Sequence, residues 1–311
     1  MQAKAIVFRN PKHLELQRLD LRAPGAGELE VDIEFSGIST GTERLLWDGS
    51  MPAFPGMGYP LVPGYESVGR VVRAGDDTTI KVGSRVFVPG AQCFEGVRHL
   101  FGGSASRLVV PEDRTVTVQD HLGARAVLLA LAATAQHALA NQTPPDLIIG
   151  HGVMGRLLAR LTVAAGHPAP MVWELNAGRK LGAQGYQVSS SDDDASRHYR
   201  AIYDVSGDAA ILDKAIARQA PGGEVVLAGF YKTSLSFAFA PAFMRETRIR
   251  VAAQWKREDL DTATELAHTG QLSLDGLITH VGCPAKAVTA YQTAFGDTDC
   301  LKMILDWKHS A

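Results

Sequence analysis

Cysteine is scarce in this chain: among 311 residues only Cys93, Cys283 and Cys300 occur. Three thiols at wide spacing build no disulfide framework and point to a reducing compartment, so the cytoplasm is the expected location. The same scarcity rules out a four-thiolate zinc lobe. An excess of one charge is also lacking, because 31 Lys and Arg stand against 33 Asp and Glu for a net −2. Without a basic surplus to offset phosphates, no nucleic-acid partner is expected. Long hydrophobic runs are missing as well. The longest, residues 126–135, carries Thr134 inside it and suits a buried helix better than a membrane span. Residues 1–8, MQAKAIVF, read as no signal peptide.

What is present is an ordinary globular composition, 46% hydrophobic and 21% charged, over roughly twice the length of a typical domain. Two domains are therefore expected. Up to about residue 120, short runs rich in β-branched residues (5–8, 29–35, 67–74, 84–88 and 107–110) read as strands separated by turn clusters. From Gly123 the texture changes. Apolar strands at 147–149, 171–173, 201–205, 224–228 and 249–252 alternate with helical stretches, among them 177–185 and 211–219, which predicts a doubly wound parallel sheet. Beyond a helix at 259–267, the run Met303-Ile304-Leu305 is strand-like again and could return to the first unit. The expected divisions are 1–122, 123–258 and 259–311.

The strongest chemical signal is Gly150-His151-Gly152-Val153-Met154-Gly155, a G-x-G-x-x-G between the strand at 147–149 and a helix. In that setting Gly150 makes the tight turn, Gly152 lets backbone N–H groups approach a pyrophosphate, and Gly155 allows close helix–strand packing. The helix N-terminus adds the positive end of a dipole for that anion. Glu174, 24 residues beyond Gly150, ends the next strand. A carboxylate there accepts ribose hydroxyls and repels a 2′-phosphate, favouring NAD over NADP, although Arg179 nearby could pair with such a phosphate. Ser206 and Gly229 end later strands, where they either flank a nicotinamide ring or serve as plain turns.

This order of parts resembles the medium-chain dehydrogenase/reductase superfamily, whose members carry a GroES-like catalytic domain split around a Rossmann domain. Gly64-Tyr65-Glu66-Ser67-Val68-Gly69-Arg70-Val71 is similar to that superfamily's Gly-His-Glu-x-x-Gly-x-Val, and Gly37-Ile38-Ser39-Thr40-Gly41-Thr42-Glu43 to its Gly-Ile-Cys-Gly-Thr-Asp. The resemblance further implies that Met154 backs the nicotinamide, Arg179 touches the adenosine ribose and Lys302 reaches the pyrophosphate. The departures matter more. The zinc-binding Cys is replaced by Ser39 or Thr40, according to register, the His by Tyr65, and the third ligand position falls near Ala130. Hydroxyls and an Ala are poor zinc donors, so no catalytic metal is expected. Tyr65 becomes the candidate general acid/base, with Ser39, Thr40 and Thr42 bonding the reacting oxygen or relaying its proton. Its phenol would need a nearby cation to lower its pKa from about 10.

Within the superfamily, the segments 36–47 and 51–66 resemble the dehydrogenases of bacteriochlorophyll synthesis. Those enzymes oxidise the 3-(1-hydroxyethyl) group of a bacteriochlorophyllide, a chlorin-type tetrapyrrole, to an acetyl group with NAD. Trp47, Met51, Phe54, Met57 and Tyr59 would then wall a flat apolar substrate, or they simply pack inside the protein. Two other readings stand beside this one: a zinc-independent quinone or enone reductase using NAD(P)H, and a non-catalytic dinucleotide-binding protein. The resemblance also implies a homodimer.

Overall fold

The computed structural model describes residues 1–52 and 55–308. Its first stretch is mostly strand: β1 (Gln2–Asn10), β2 (His13–Asp20), β3 (Glu28–Ile38), then helix α1 (Thr42–Asp48), β4 (Leu61–Pro63), β5 (Ser67–Ala74), β6 (Arg85–Val88), β7 (Arg98–Leu100), β8 (Arg107–Pro111) and β9 (Val116–Thr117). Strand–helix alternation follows: α2 (Leu129–Leu139), β10 (Leu147–Ile149), α3 (Val153–Ala164), β11 (Met171–Trp173), β12 (Gln187–Ser189), β13 (Tyr199–Asp204), α4 (Leu212–Arg218), β14 (Gln219–Leu227), α5 (Phe239–Met244), β15 (Arg248–Val251) and α6 (Arg257–His268). The chain ends with β16 (His280–Gly282), α7 (Ala287–Gly296) and β17 (Met303–Asp306).

The chain divides into two compact units, residues 1–130 joined by 275 onward, and residues 131–274. In the first, one sheet runs β2-β1-β4-β7 and another β16-β17-β3-β5-β6-β9, with β8 on β3. The C-terminal β17 lies antiparallel on β3, with Met303 opposite Ile38 and Asp306 opposite Phe35. That register sets Lys302 beside the loop after β3. The sheets and α7 close over an apolar core in which the Phe8 ring meets Tyr291 edge-on at 5.4 Å and Trp47 at 5.8 Å. Such aromatic pairs add about 1 kcal/mol each beyond area burial.

The second unit is one parallel sheet in the order β12-β11-β10-β13-β14-β15, the doubly wound arrangement with its switch point between β10 and β13. Leu147, Ile148 and Ile149 are buried throughout, as strands covered on both faces require. The first unit runs to 130 and the second to 274, not to 122 and 258. The second shift has a physical cause: α6 buries Leu260, Ala263 and Ala267, and Asp259 binds His137 Nδ1 at 2.8 Å, which keeps this helix with the second unit.

Two further differences concern helices. Residues 177–185 form only a single 3-10 turn at Gly178–Lys180, because Gly182 and Gly185 both take φ 79° and the carbonyls of Arg179, Leu181 and Gly182 are drawn onto the Arg156 guanidinium. The helical run Asp120–Leu139 is long and apolar enough to cross a membrane by length and composition. Its Val127, Leu128, Leu129, Ala132 and Ala133 are fully covered inside the protein, which accounts for their apolarity.

Candidate active site

Strand β3 delivers Ser39 to the turn that enters α1, and β4 delivers Tyr65. The Tyr65 hydroxyl lies 2.6 Å from Ser39 Oγ and 3.4 Å from Thr42 Oγ1, and its ring stands edge-on to Phe101 at 5.2 Å. Thr40 is exposed and takes no part in this cluster. Of the two hydroxyls that the register left open, Ser39 is the one that meets Tyr65.

Zinc does not fit these donors. Two ligands of one tetrahedral ion with bonds of about 2.0 Å stand about 3.3 Å apart, whereas Ser39 Oγ and Tyr65 Oη are hydrogen-bonded to each other at 2.6 Å. The third position, Ala130, offers a methyl group. Among the described residues, no group of three His, Cys, Asp or Glu side chains is placed to hold a metal.

A buried ionic layer backs the hydroxyls. Lys302 Nζ donates to both Glu66 oxygens, at 2.6 and 2.9 Å, and to the Ile38 carbonyl at 3.2 Å. Lys302 is 2% exposed and Glu66 0%. Its ammonium is therefore committed within the first unit, which corrects the expectation that Lys302 reaches a pyrophosphate. Glu43, also buried, accepts the Tyr291 hydroxyl at 2.6 Å and the Ser39 N–H at 3.0 Å. Burial, reinforced by the Glu66 charge, pushes its carboxyl up to about 7 against the pull of those two hydrogen bonds. The Tyr65 phenol moves the other way from expectation. Burial first and the Glu66 carboxylate second push it well above its ordinary value, while Ser39 and Thr42 only partly oppose this. The Lys302 ammonium, the cation of this layer, is already paired with Glu66.

In the second unit the glycine loop leaves β10. Gly150 sits at φ 104°, and a Cβ on it would come 3.2 Å from the Ser206 backbone. A Cβ on Gly155 would stand 1.9 Å from the Gly150 carbonyl oxygen, so α3 can lie this close only with glycine there. Gly152 faces open space. Val153 is buried and Met154 partly so, in the first turn of α3. Glu174 holds this loop through its carboxylate: Oε2 accepts the His151 N–H at 3.0 Å and Oε1 accepts the Leu175 and Asn176 N–H groups at 2.8 Å. Ser206 is exposed after β13 and Gly229 follows β14, so both stand with Gly150 at the carboxyl ends of neighbouring strands.

His151 was not singled out in the sequence, yet it organises this loop. Its Nδ1–H donates to the Arg179 carbonyl at 2.5 Å, leaving Nε2 to accept the Tyr186 hydroxyl at 2.8 Å. Burial and the neighbouring Arg156 cation pull its pKa down to about 4, so the neutral ring is fixed. Arg179 is thus held by its backbone carbonyl, which His151 and Arg156 share. Asp204, buried beneath Ser206 and bonded to the Tyr231 hydroxyl, is a second group the sequence reading passed over.

Of the proposed substrate wall, Trp47, Met51, Met57 and Tyr59 are half-buried against the core of the first unit, and Tyr59 donates its hydroxyl to the Leu46 carbonyl. Phe54 lies outside the described residues.

Residues 25–120 match the alcohol dehydrogenase GroES-like domain. The chain is 55% identical, over 99% of both chains, to a protein of Rhodobacter capsulatus named 2-desacetyl-2-hydroxyethyl bacteriochlorophyllide A dehydrogenase. It is 52% identical, over the full length of both, to a protein of the same name from Cereibacter sphaeroides. In fold it is similar to the crystal structure of 2R,3R-butanediol dehydrogenase from Bacillus subtilis, with TM-score 0.84, 20% identity, and coverage of 98% of this chain and 99% of that one. The chain belongs to the medium-chain dehydrogenase superfamily and, within it, to the family of these bacteriochlorophyllide dehydrogenases.

Proposed function

We propose that the chain oxidises the 3-(1-hydroxyethyl) group of a bacteriochlorophyllide to an acetyl group, with NAD as hydride acceptor and no metal. The reaction class and substrate follow from family membership. The observation that carries the chemistry is the 2.6 Å contact between Tyr65 Oη and Ser39 Oγ, in place of a metal-binding pair. Because its phenol is pushed up, Tyr65 rests protonated. It therefore acts as a relay: as it takes the substrate hydroxyl proton it passes its own to Ser39 Oγ, which in the same step releases its hydroxyl proton to water, and Thr42 Oγ1 is a second hydroxyl in reach of the Tyr65 oxygen. A bound nicotinamide supplies the hydride acceptor.

Gly150, Gly152, Val153, Met154 and Gly155 would hold the dinucleotide, with its pyrophosphate at the open backbone of Gly152 and the N-terminus of α3. Glu174 keeps acceptor capacity for ribose hydroxyls, which supports NAD over NADP, and Arg179, Ser206 and Gly229 complete the set. The cytoplasmic location rests on three free thiols. A homodimer is supported by the second unit's sheet edge: β15 leaves Val251 73% exposed, and α5 leaves Phe243 66% and Met244 77% exposed.

The test incubates purified protein with NAD or NADP and the hydroxyethyl pigment, following its absorption shift, beside zinc analysis and sedimentation. Turnover with NAD and without zinc is expected. Turnover of a quinone but not the pigment would overturn the reading.

A further inference from the structure

The loop at 55–60 and the segment at 92–99 enclose an open recess of about 440 Å³ that the mechanism does not use. Tyr59, Val97, Arg98 and His99 line it. Arg98 is its one charged lining residue that is always ionised. Arg98 is exposed, and its guanidinium makes no hydrogen bond or ion pair among the described residues.

Its stem nevertheless lies close against the loop. A Cβ on Gly58 would come 2.9 Å from Arg98 Nε, and Gly58 sits at φ 151°, so glycine there makes room for the Arg98 stem along the loop. The Arg98 N–H donates to the Pro60 carbonyl at 2.8 Å, pinning strand to loop. His99 beside it presents a fixed ring, its Nε2 accepting the Phe94 N–H at 3.3 Å, and burial lowers its pKa so that it stays neutral. The recess therefore carries a single positive charge in partly apolar surroundings, the complement of one carboxylate attached to an apolar body.

The same backbone leads to the reacting hydroxyls. Three residues beyond Arg98, Phe101 packs its ring on Tyr65 at 5.2 Å. The strand holds Arg98–Leu100 and Phe101 directly follows it, so at about 3.3 Å per residue Arg98 and Phe101 lie at most about 10 Å apart. A rigid plate with an alcohol at one edge and a carboxylate at another would meet both ends of this segment. A bacteriochlorophyllide, the unesterified form of its pigment, has that shape and carries a free propionate.

We propose that this recess receives the carboxylate-bearing edge of the tetrapyrrole, with Arg98 as the counter-ion that orients the ring and selects the free acid over its ester. This rests on the functional reading above and names a specificity residue for it. Arg98 touches no reacting atom, so its signature is the affinity difference between free acid and ester.

The test compares the free-acid pigment and its methyl ester on the full chain. Binding is read by pigment absorption titration without cofactor, and turnover by the absorption shift with NAD. The wild type is expected to bind the acid about 10-fold more tightly than the ester. Arg98→Ala should erase that preference in both the binding titration and KM, and Arg98→Lys should restore part of it. A wild type indifferent to esterification, or an Arg98→Ala protein that keeps the preference, overturns the proposal. An acid preference that depends on Arg98, without oxidation of the pigment, supports the recess and overturns the functional reading instead.

Discussion

The glycine loop of the second unit and the hydroxyl cluster of the first are built on opposite principles. The loop is contiguous: six residues, 150–155, run from the end of β10 into the first turn of α3, and the demands on them are local, a positive φ at Gly150 and a missing Cβ at Gly155. The cluster is assembled by register. Ser39 and Thr42 come from the turn after β3 and Tyr65 from the turn after β4, while the ionic layer behind them joins residues 236 and 248 positions apart, Lys302 with Glu66 and Tyr291 with Glu43. Backbone sites survive where the local pattern survives. Side-chain sites depend on the whole fold closing correctly, so their variants should lose stability and function together.

The largest expected effect tests that dependence. Lys302→Met leaves the Glu66 carboxylate buried without its partner, and breaking a buried pair in this way costs about 3–5 kcal/mol. Urea unfolding should show the loss, and adding Glu66→Gln should recover much of it. A stable single variant would mean that the layer is looser than its distances imply. Glu43 gives a slightly smaller effect with a definite sign. Its carboxyl is raised from an ordinary value near 4.5 to about 7, so the folded protein holds a proton that the unfolded chain has released. The associated stability is complete below about pH 4.5 and is lost as pH rises through about 7, roughly 3 kcal/mol in all. In Glu43→Gln that slope should disappear, as urea midpoints at pH 5 and pH 8 would reveal.

Tyr65→Phe separates chemistry from architecture. It should lower kcat about 100-fold, the lower range for losing a positioned proton carrier, while leaving dinucleotide affinity unchanged. Thr40→Ala, outside the cluster, should do nothing. Stopped-flow turnover beside a cofactor titration reads both; equal losses in kcat and cofactor binding would break the distinction between the two regions.

The sequence disclosed these regions unequally. The strand–glycine loop–helix order and the acid closing the next strand lie within one 28-residue window, 147–174, so the parallel sheet and the loop were legible there. Tyr65 and Ser39 were found only because they stand where a related pattern has metal ligands. The choice between Ser39 and Thr40 required the path of the turn after β3. Lys302 was misassigned for the same kind of reason: nothing near it in sequence reveals that β17 pairs with β3 and carries its ammonium to Glu66. Residues 177–185 have helical composition at several positions, but Arg156, from a different element, collects their carbonyls. His151 stands at a variable position of the pattern, which says nothing about Tyr186 or Arg179 waiting for its ring.

The smallest predicted effect lies in the contiguous site, where one side chain adds to what backbone already provides. Glu174 binds three N–H groups of its own turn and the glycine loop, and it is only partly buried. Glu174→Gln keeps the length and one acceptor oxygen, so the turn should persist and stability should change by less than about 1 kcal/mol. The lost negative charge acts on the cofactor instead. It weakens the hydrogen bonds offered to ribose hydroxyls and removes the repulsion of a 2′-phosphate, which together should raise the NAD dissociation constant about tenfold, worth about 1.4 kcal/mol, and lower that for NADP. Parallel titrations with NAD and NADP measure both. If the variant shifts neither, the carboxylate serves only to hold the loop, and the contiguous site would owe its cofactor choice to backbone alone.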